Sequence, residues 1–300
     1  MKDIVLITGA NGDLAKTVKQ LLSNSYQIRC LTTNKKNVDG KSIFYWDINK
    51  NYIDADALKE CKHIIHLAGY SILNKWTKEN IKLMYKSRVS VANLLFNKCE
   101  ELNIHPETFI SASASGIYGL TASGIKTEDD KMGSDWISKM VYDWEAAAEK
   151  FKQLGSRVIK MRISLLLSKT SGFLKYTLLS MKYGIGVIVG PKENPINWIH
   201  IDDAASFVQQ AIKNSHYQGS YNLASEQTVS QNEFIKTIKS KVFAYSLIIR
   251  MPISLIRPLV GERSLIINSK FTLSVEKLKK TGFIWKYSSL EDVLDNKKGN

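Results

Sequence analysis

The stretch DIVLITGANGDLA at residues 3–15 decides the fold. Ile4–Ile7 is a continuous apolar run, which is typical of a strand buried on both faces. Apolar residues then recur at helical spacing from Leu14 to Leu22. In the turn between them, Gly9 permits a tight bend and Gly12 lets the backbone approach a pyrophosphate at the helix N-terminus. A glycine loop between a strand and a helix predicts a dinucleotide-binding βαβ unit.

Strands and helices continue to alternate after this unit. The pattern predicts strands at Gln27–Thr32, Ser42–Trp46, His63–Leu67, Thr108–Ser113 and Arg157–Leu167, and helices at Asp54–Cys61, Thr77–Leu102 and Ser134–Leu154. Such alternation implies parallel strands with helical crossovers, and so an α/β fold with a doubly wound parallel (Rossmann) sheet. After Leu167 the regularity weakens. We expect an NADP-binding Rossmann domain at residues 1–167, joined by later returning segments, and a smaller C-terminal substrate lobe at 168–300.

The composition is that of an ordinary globular protein, with 44% hydrophobic and 23% charged residues. No run approaches the roughly 18 apolar residues of a membrane span, and the pattern of the N-terminal residues does not predict a signal peptide. We therefore expect a cytoplasmic protein without a membrane partner. The three cysteines lack metal-ligand spacing, so no metal site is expected. The net charge of +14 comes from scattered lysines, which favours anionic small molecules over nucleic acid as partners.

The end of the second predicted strand bears on the choice of cofactor. An NAD site usually carries Asp or Glu about 20 residues past the glycine loop, where it binds the ribose 2′-hydroxyl. Here residues 31–36 read LTTNKK and contain no acid. A carboxylate would repel a 2′-phosphate, whereas lysine ammonium groups and threonine hydroxyls would bind one. The sequence favours NADP over NAD, with Thr33 and Lys35 at the phosphate; solvated loop lysines without a ligand are the alternative.

Further cofactor contacts are expected where the neighbouring strands end. Asp47 is placed to accept a hydrogen bond from the adenine amino group, and Ala68-Gly69 to form a wall beneath the nicotinamide ribose. The complete predicted cofactor set is Thr8, Gly9, Asn11, Gly12, Asp13, Leu14, Thr33, Lys35, Asp47, Leu67, Ala68, Gly69 and Ser111.

Together these motifs resemble the extended short-chain dehydrogenase/reductase superfamily. Thr8–Ala15 meets its TGxxGxx(G/A) fingerprint, and Asp47-Ile48 and His66–Gly69 are similar to its next two motifs. Ser111–Gly119 resembles its serine-containing active-site strand, and Trp198–Asp203 its late substrate-domain motif. The resemblance implies an NAD(P)-dependent oxidoreductase or epimerase that acts on a small, sugar-like or anionic substrate.

A narrower similarity points to the YfcH-like branch of epimerase family proteins. It rests on the serine-rich stretch SASASGIYG at 111–119, on DWEAAA at 143–148 and on WIHIDD at 198–203. The tail at 252–290 resembles the small C-terminal domain of unknown function that this branch carries. The similarity covers essentially the whole chain.

The superfamily resemblance also implies a Tyr-x-x-x-Lys pair on the helix after the active-site strand. In that pair the lysine lowers the pKa of the tyrosine, which then moves a proton. No tyrosine here has Lys four residues later, and alignment on Trp144-Glu145 puts Ile137 and Val141 at those places. The usual acid–base pair is therefore absent from its expected place, and an oxidoreductase or epimerase with this sequence would need a non-standard acid–base set.

Other residues near the expected site are candidates for this chemistry. Ser113 and Tyr118 are the predicted catalytic residues, with packing roles as the alternative. Arg162 and Trp198 are the predicted substrate contacts, and for Arg162 an ion pair that supports the fold is the alternative.

Three functions stay open on the sequence. The first is an NADP-dependent oxidoreductase or epimerase with a non-standard acid–base set. The second is a non-catalytic NADP-binding sensor or partner-binding protein, which the missing Tyr/Lys pair favours. The third, nucleic-acid binding, rests only on the net charge. We expect a monomer or a homodimer, the dimer by analogy with relatives that pair through two long helices.

Overall fold

The computed structural model describes residues 2–295; Met1 and residues 296–300, at the two ends of the predicted domains, lie outside the described part. The first half of the chain alternates as the apolar pattern predicts. Its elements are β1 (Ile4–Thr8), α1 (Asp13–Leu22), β2 (Gln27–Thr32), β3 (Ile43–Asp47), β4 (Tyr52–Ile53), β5 (Cys61–His66), α2 (Lys78–Tyr85), α3 (Val91–Glu101), β6 (Thr108–Ala114), β7 (Ser123–Lys126), α4 (Trp136–Glu149) and β8 (Arg157–Ile163).

The second half consists of shorter strands and several short helices. They are β9 (Leu165–Leu167), α5 (Gly172–Lys182), β10 (Ile185–Val189), β11 (Pro195–Ile196), β12 (Trp198–His200), α6 (Ile201–Lys213), β13 (Gly219–Leu223), β14 (Val229–Ser230), α7 (Gln231–Lys241), β15 (Leu247–Met251), α8 (Ile253–Val260), α9 (Ser264–Ile267), β16 (Lys270–Leu273), α10 (Glu276–Lys279) and α11 (Leu290–Leu294).

Eight strands form one large sheet in the order β13-β8-β6-β5-β1-β2-β3-β4. All neighbours pair in parallel except β3 and β4. The chain moves outward through β2 and β3 on one side of β1, and through β5, β6 and β8 on the other. The predicted doubly wound Rossmann sheet is confirmed, and its switch point lies between β1 and β5, where ligands of such sheets bind.

The central strand is covered on both faces. All five residues of β1 are buried, which explains its unbroken apolar run. Val5 and Ile7 belong to a core that includes side chains of α1 and α6. Ile4 and Leu6 belong to a second core that includes side chains of α3. The second lobe has its own core, built around Trp198 and Phe234.

Several predicted elements differ from the observed ones. The helix expected at Asp54–Cys61 is only a 3₁₀ turn at Ala55–Ala57, because Glu60 takes a positive φ of 59° just before β5 begins. The strand expected at Arg157–Leu167 breaks at Ser164, because β9 leaves the large sheet to pair with β12.

The helix expected at Thr77–Leu102 is also interrupted. A π-helical turn at Lys86–Ser90 separates α2 from α3. Within residues 2–295, no helix has the length and apolar character needed to cross a membrane.

The two predicted lobes are interleaved. β13 returns from the second lobe to the edge of the large sheet beside β8. β16, from the tail segment at 252–290, pairs in parallel with β7, which lies between β6 and α4 in the chain. The division at residue 167 stays a prediction. The returning strands β13 and β16 connect the predicted substrate lobe to the part of the first lobe around β7 and β8.

Candidate functional site

The glycine loop connects β1 to α1 at the switch point. Gly9 has φ +72°, and a Cβ there would lie 2.7 Å from the Leu67 carbonyl oxygen and 2.8 Å from the Ala68 amide nitrogen. Only glycine fits this close approach. Gly12 is the N-cap of α1, and no side chain caps the helix. The first amide groups of α1, at Asp13 and Leu14, are therefore free to bind a phosphate, so the loop fits a dinucleotide.

Thr8 fastens the loop after β5 to the end of β1. Its hydroxyl lies 2.9 Å from His66 Nδ1 and accepts the N–H groups of Leu67 and Ala68, at 3.2 Å each. Burial lowers the pKa of His66 to about 4, so the ring is neutral at pH 7. The consistent assignment has the Thr8 hydroxyl donating to Nδ1 while Nε2–H donates to the Arg88 carbonyl, 3.2 Å away. The predicted cofactor wall is thus held rigidly against the glycine loop.

A cavity of about 370 Å³ lies at the carboxyl ends of β2 and β3. Thr33 and Asp47, two predicted cofactor residues, line it together with Tyr45 and Lys86. Asp47 accepts the Asn49 amide N–H at 2.9 Å and the Tyr45 hydroxyl at 3.3 Å. The cavity has the position expected for an adenosine site.

Two lysines bring positive charge to this cavity. Lys35 Nζ lies 5.0 Å from the centroid of the Tyr45 ring, which lines the cavity. Lys86 Nζ donates to Asn49 Oδ1 at 2.5 Å. Because two lysine cations lie near a single carboxylate, that of Asp47, this end of the site is favourable to a further anionic group.

A buried hydrogen-bond network lies under the end of β6. The Ser113 hydroxyl donates to Glu145 Oε1 at 2.6 Å, and Arg162 donates to the same carboxylate through Nε at 2.9 Å and Nη2 at 3.1 Å. The Tyr118 hydroxyl donates to Asn222 Oδ1 at 2.6 Å and accepts from Arg162 Nη1 at 3.1 Å. All five residues are at most 7% exposed. The network joins β6, α4, β8 and β13.

The protonation states in this network follow from its contacts. Burial by itself would raise the pKa of Glu145, but the Arg162 and Ser113 hydrogen bonds hold it below its usual value. Burial alone would lower the pKa of Arg162, but the Glu145 carboxylate raises it overall. Burial raises the pKa of Tyr118 despite the nearby guanidinium. At neutral pH the site therefore holds a carboxylate, a guanidinium and a neutral phenol, each with its partners inside the protein.

The places of the missing Tyr/Lys pair are filled by apolar packing. Ile137 and Val141 on α4 are 6% and 1% exposed and share a core cluster with Ile117. A Cβ on Gly116 would lie 2.9 Å from Ile137 Cγ2, so this face of α4 lies close against the segment after β6. No proton can be exchanged at either position.

The other predicted site residues are in varied surroundings. The Ser111 hydroxyl donates to the Ala112 carbonyl at 2.8 Å, and Ser111 is 1% exposed. Trp198 is fully buried in the second-lobe core. Asn11 and Asp13 are exposed at the glycine loop. The assignments of Ser113 and Tyr118 to catalysis and of Arg162 and Trp198 to substrate binding stay predictions.

Two polar residues near the site were not predicted. Asn222 binds Tyr118 and also donates to the Lys126 and Ser274 carbonyls, at 3.1 Å each. Its partners lie 52 to 104 residues away along the chain, so no local pattern predicted this role. Arg88 contacts the loop after β5; it lies in a π-helical turn, which the helical periodicity of the sequence conceals.

The family model described as the NAD dependent epimerase/dehydratase family matches residues 5–224. The chain belongs to this family. Epimerase family protein SA0724 of Staphylococcus aureus (strain N315) is 28% identical to it over 299 residues, with 97% of each chain covered. The resemblance to the extended short-chain dehydrogenase/reductase superfamily is thereby confirmed.

Solved structures with the same fold cover nearly the whole of this epimerase/dehydratase family chain. Human epimerase family protein SDR39U1 (isoform 2), solved with NADPH, superimposes with a TM-score of 0.83 at 22% identity, over 97% of both chains. MoeE5, in complex with UDP-glucuronic acid and NAD, gives a TM-score of 0.77 at 19% identity, over 97% of this chain and 96% of the other. Both likenesses support the Rossmann architecture.

Proposed function

We propose that this protein is an NADP-preferring oxidoreductase or epimerase that acts on a small, sugar-like or anionic substrate with an acid–base set other than Tyr-x-x-x-Lys. The observation that carries the proposal is the glycine loop at the switch point, where Gly9 has no room for a side chain and no side chain caps the N-terminus of α1. The cytoplasm and a monomeric or homodimeric state are part of the same prediction.

The chain's own residues would hold the cofactor in an extended pose. The amides of Asp13 and Leu14 would bind the pyrophosphate, and Thr33 and Lys35 the 2′-phosphate. Asp47 would accept from the adenine amino group, and Leu67–Gly69 would support the nicotinamide ribose. When bound, the nicotinamide supplies or accepts a hydride. Relatives differ in cofactor, since SDR39U1 was solved with NADPH and MoeE5 with NAD.

The choice of cofactor can be measured by calorimetry. We expect NADPH to bind at least about tenfold more tightly than NADH, since a charge-assisted phosphate contact contributes about 1.5–3 kcal/mol. Replacing Thr33→Asp and Lys35→Ala together should abolish this preference. Lys241→Ala, an exposed lysine at the end of α7, is the matched control and should leave both affinities unchanged. Tighter binding of NADH by the native protein would contradict the proposal.

The predicted catalytic roles of Ser113 and Tyr118 are tested by measuring substrate turnover. NADPH oxidation is followed against a panel of carbonyl compounds, and the active one is repeated with Ser113→Ala and Tyr118→Phe. We expect each variant to reduce kcat while keeping NADPH affinity, with the free energy of unfolding measured alongside because both hydroxyls lie in the buried network. Full activity in both variants would show that the roles are misassigned.

A second candidate function is a non-catalytic NADP-binding sensor or partner-binding protein. The apolar packing of Ile137 and Val141 favours it, because those positions cannot exchange a proton. NADPH binding without turnover of any carbonyl in the panel would support this candidate. Turnover of any compound would exclude it.

A further inference from the structure

Within the described residues 2–295, no acidic side chain pairs with the guanidinium of Arg88, which lies beside the proposed cofactor wall. Arg88 lies in the π-helical turn Lys86–Ser90, and its side chain contacts the loop after β5. A Cβ on Gly69 would lie 3.2 Å from both Cζ and Nη2 of Arg88. The glycine therefore lets the guanidinium lie directly against the wall predicted to support the nicotinamide ribose.

The hydrogen bonds of Arg88 use one side of its guanidinium. Nη1 donates to the Tyr70 carbonyl at 2.9 Å and to the Met84 carbonyl at 3.1 Å. Cζ lies 5.3 Å from the centroid of the Trp144 ring, over its face. Among residues 2–295, neither Nε nor Nη2 donates a hydrogen bond, and neither atom is sealed from solvent. The edge formed by Nε and Nη2 is therefore held in place, keeps some contact with solvent and has its donors unused within the described chain.

This edge carries an uncompensated charge. Burial lowers the pKa of Arg88 to about 10, so the group is still a cation at neutral pH. No carboxylate of the described chain forms an ion pair with it. Taking a cation out of water is unfavourable unless an anion accompanies it, and an anionic ligand would offset that cost.

Two other partly or largely buried arginines can be compared with Arg88 by the hydrogen bonds that their guanidinium nitrogens make. In Arg162 the same two nitrogens, Nε and Nη2, bind the two oxygens of the Glu145 carboxylate. In Arg29, Nη1 donates to backbone carbonyls, among them Asp56 at 2.8 Å and Lys59 at 2.6 Å, while Nε is sealed without a partner. Arg88 shares the carbonyl anchoring of Arg29 and has the free fork that Arg162 uses for a carboxylate.

We propose that the Nε/Nη2 edge of Arg88 binds a carboxylate or phosphate group of the small-molecule substrate. The planar fork donates two parallel N–H···O bonds to such a group, and π-helical turns occur frequently at functional sites. The proposal rests on the proposed function for one point, the cofactor that would lie in the same cleft. The amides of α1 would hold that cofactor's pyrophosphate, so the anion at Arg88 is a separate one.

The test uses calorimetry on the full chain with and without NADPH. Inorganic phosphate and acetate serve as probes for the two oxyanion classes. With NADPH saturating, we expect saturable binding of at least one probe, and Arg88→Met should weaken it by about tenfold or more. Arg88→Lys keeps the charge but loses the fork, and should give a smaller loss. NADPH affinity should stay within about threefold of the native value in both variants.

Two further variants keep the test decisive if Arg88→Met does not fold. Gly69→Ala keeps the charge but places a Cβ 3.2 Å from Cζ and Nη2, so it should displace the fork and weaken probe binding. Arg29→Met removes an arginine whose Nη1 donates to three backbone carbonyls and whose guanidinium lies over the Phe44 ring, and should lower the free energy of unfolding without changing probe affinity.

Several outcomes would overturn the proposal. These are the absence of saturable probe binding to the native protein, native-like probe affinity in both Arg88→Met and Gly69→Ala, and an NADPH affinity at least tenfold weaker in Arg88→Met, which would assign the edge to a cofactor phosphate. Failure of the native protein to bind NADPH contradicts the proposed function instead, and the probe titrations without NADPH then still test Arg88.

Discussion

At the residue scale, both the fold and the proposed cofactor site depend on the absence of a Cβ atom at Gly9. We expect Gly9→Ala to lower the free energy of unfolding by about 3 kcal/mol or more, because it adds a clash with the Leu67 carbonyl to the cost of a left-handed backbone. It should also weaken NADPH binding. Urea denaturation and calorimetry measure the two effects.

The control for Gly9 is another glycine with positive φ. Gly40 has φ +66°, and a Cβ there would meet nothing within 4 Å. Gly40→Ala should therefore cost only about 1–2 kcal/mol, the backbone contribution, and leave NADPH binding unchanged. Equal losses in the two variants would mean that the close approach of the β5 loop is unimportant.

At this scale, the sequence predicted features formed by residues that lie close together in the chain and missed contacts between residues that lie far apart in it. The glycine loop could be predicted because its glycines, strand and helix lie within one short stretch. The partners of Ser113 and Tyr118 could not, because Glu145 lies 32 residues from Ser113 and Asn222 lies 104 from Tyr118. Arg88 was missed because a π-helical turn has no distinctive apolar period.

At the element scale, Glu145 fastens α4 to β6 and β8. Glu145→Gln should lower the free energy of unfolding by about 3–5 kcal/mol, since it leaves the Arg162 cation buried without its counter-charge. The matched control is Asp143→Asn on the same helix, which removes a pair with Lys139, a side chain that is 71% exposed. That pair should contribute at most about 1 kcal/mol. Chemical denaturation measures both, and similar losses would contradict the ranking.

The carboxylate of Glu145 should also make the free energy of unfolding depend on pH in the acidic range. Because Arg162 and Ser113 hold the folded pKa of Glu145 below its usual value, its stabilisation is present above the unfolded pKa of about 4.3 and is lost as pH falls through the folded value. The native protein should therefore lose more stability than Glu145→Gln between pH 5 and pH 3. Chemical denaturation at several pH values measures this. An equal loss in the free energy of unfolding for the native protein and Glu145→Gln between pH 5 and pH 3 would contradict the prediction.

The bounds of a strand or helix were predictable where they depend on the local sequence and not on a pairing partner far along the chain. β1 and β2 were expected within one residue of their observed bounds. For β1 the reason is that a strand buried on both faces has an unbroken apolar run. The break between β8 and β9 was not expected, because β9 departs to pair with β12, a strand about 30 residues later. The pairing of β16 with β7 likewise joins segments that have no common local signal.

At the scale of the whole molecule, Asp203 ties the C-terminal segment to the first lobe. It lies in the first turn of α6, which packs on α1, and its carboxylate accepts the backbone N–H groups of Lys286 at 2.7 Å and Tyr287 at 3.1 Å. Asp203 is 1% exposed, and burial raises its pKa to about 6. The folded protein therefore binds this proton more tightly than the unfolded chain.

The sign of the resulting pH dependence follows from linkage. The contribution of Asp203 is fully present below the unfolded pKa of about 3.9 and is lost as pH rises through about 6. Buried His200, whose pKa burial lowers to about 4, titrates in the same window with the opposite sign, so the comparison of variants is decisive. Relative to the native protein, Asp203→Asn should gain stability as pH rises from 4 to 6. Unfolding curves of both proteins at pH 4, 5 and 6 provide the measurement, and a constant difference between them would show that folding does not raise the pKa of this carboxylate.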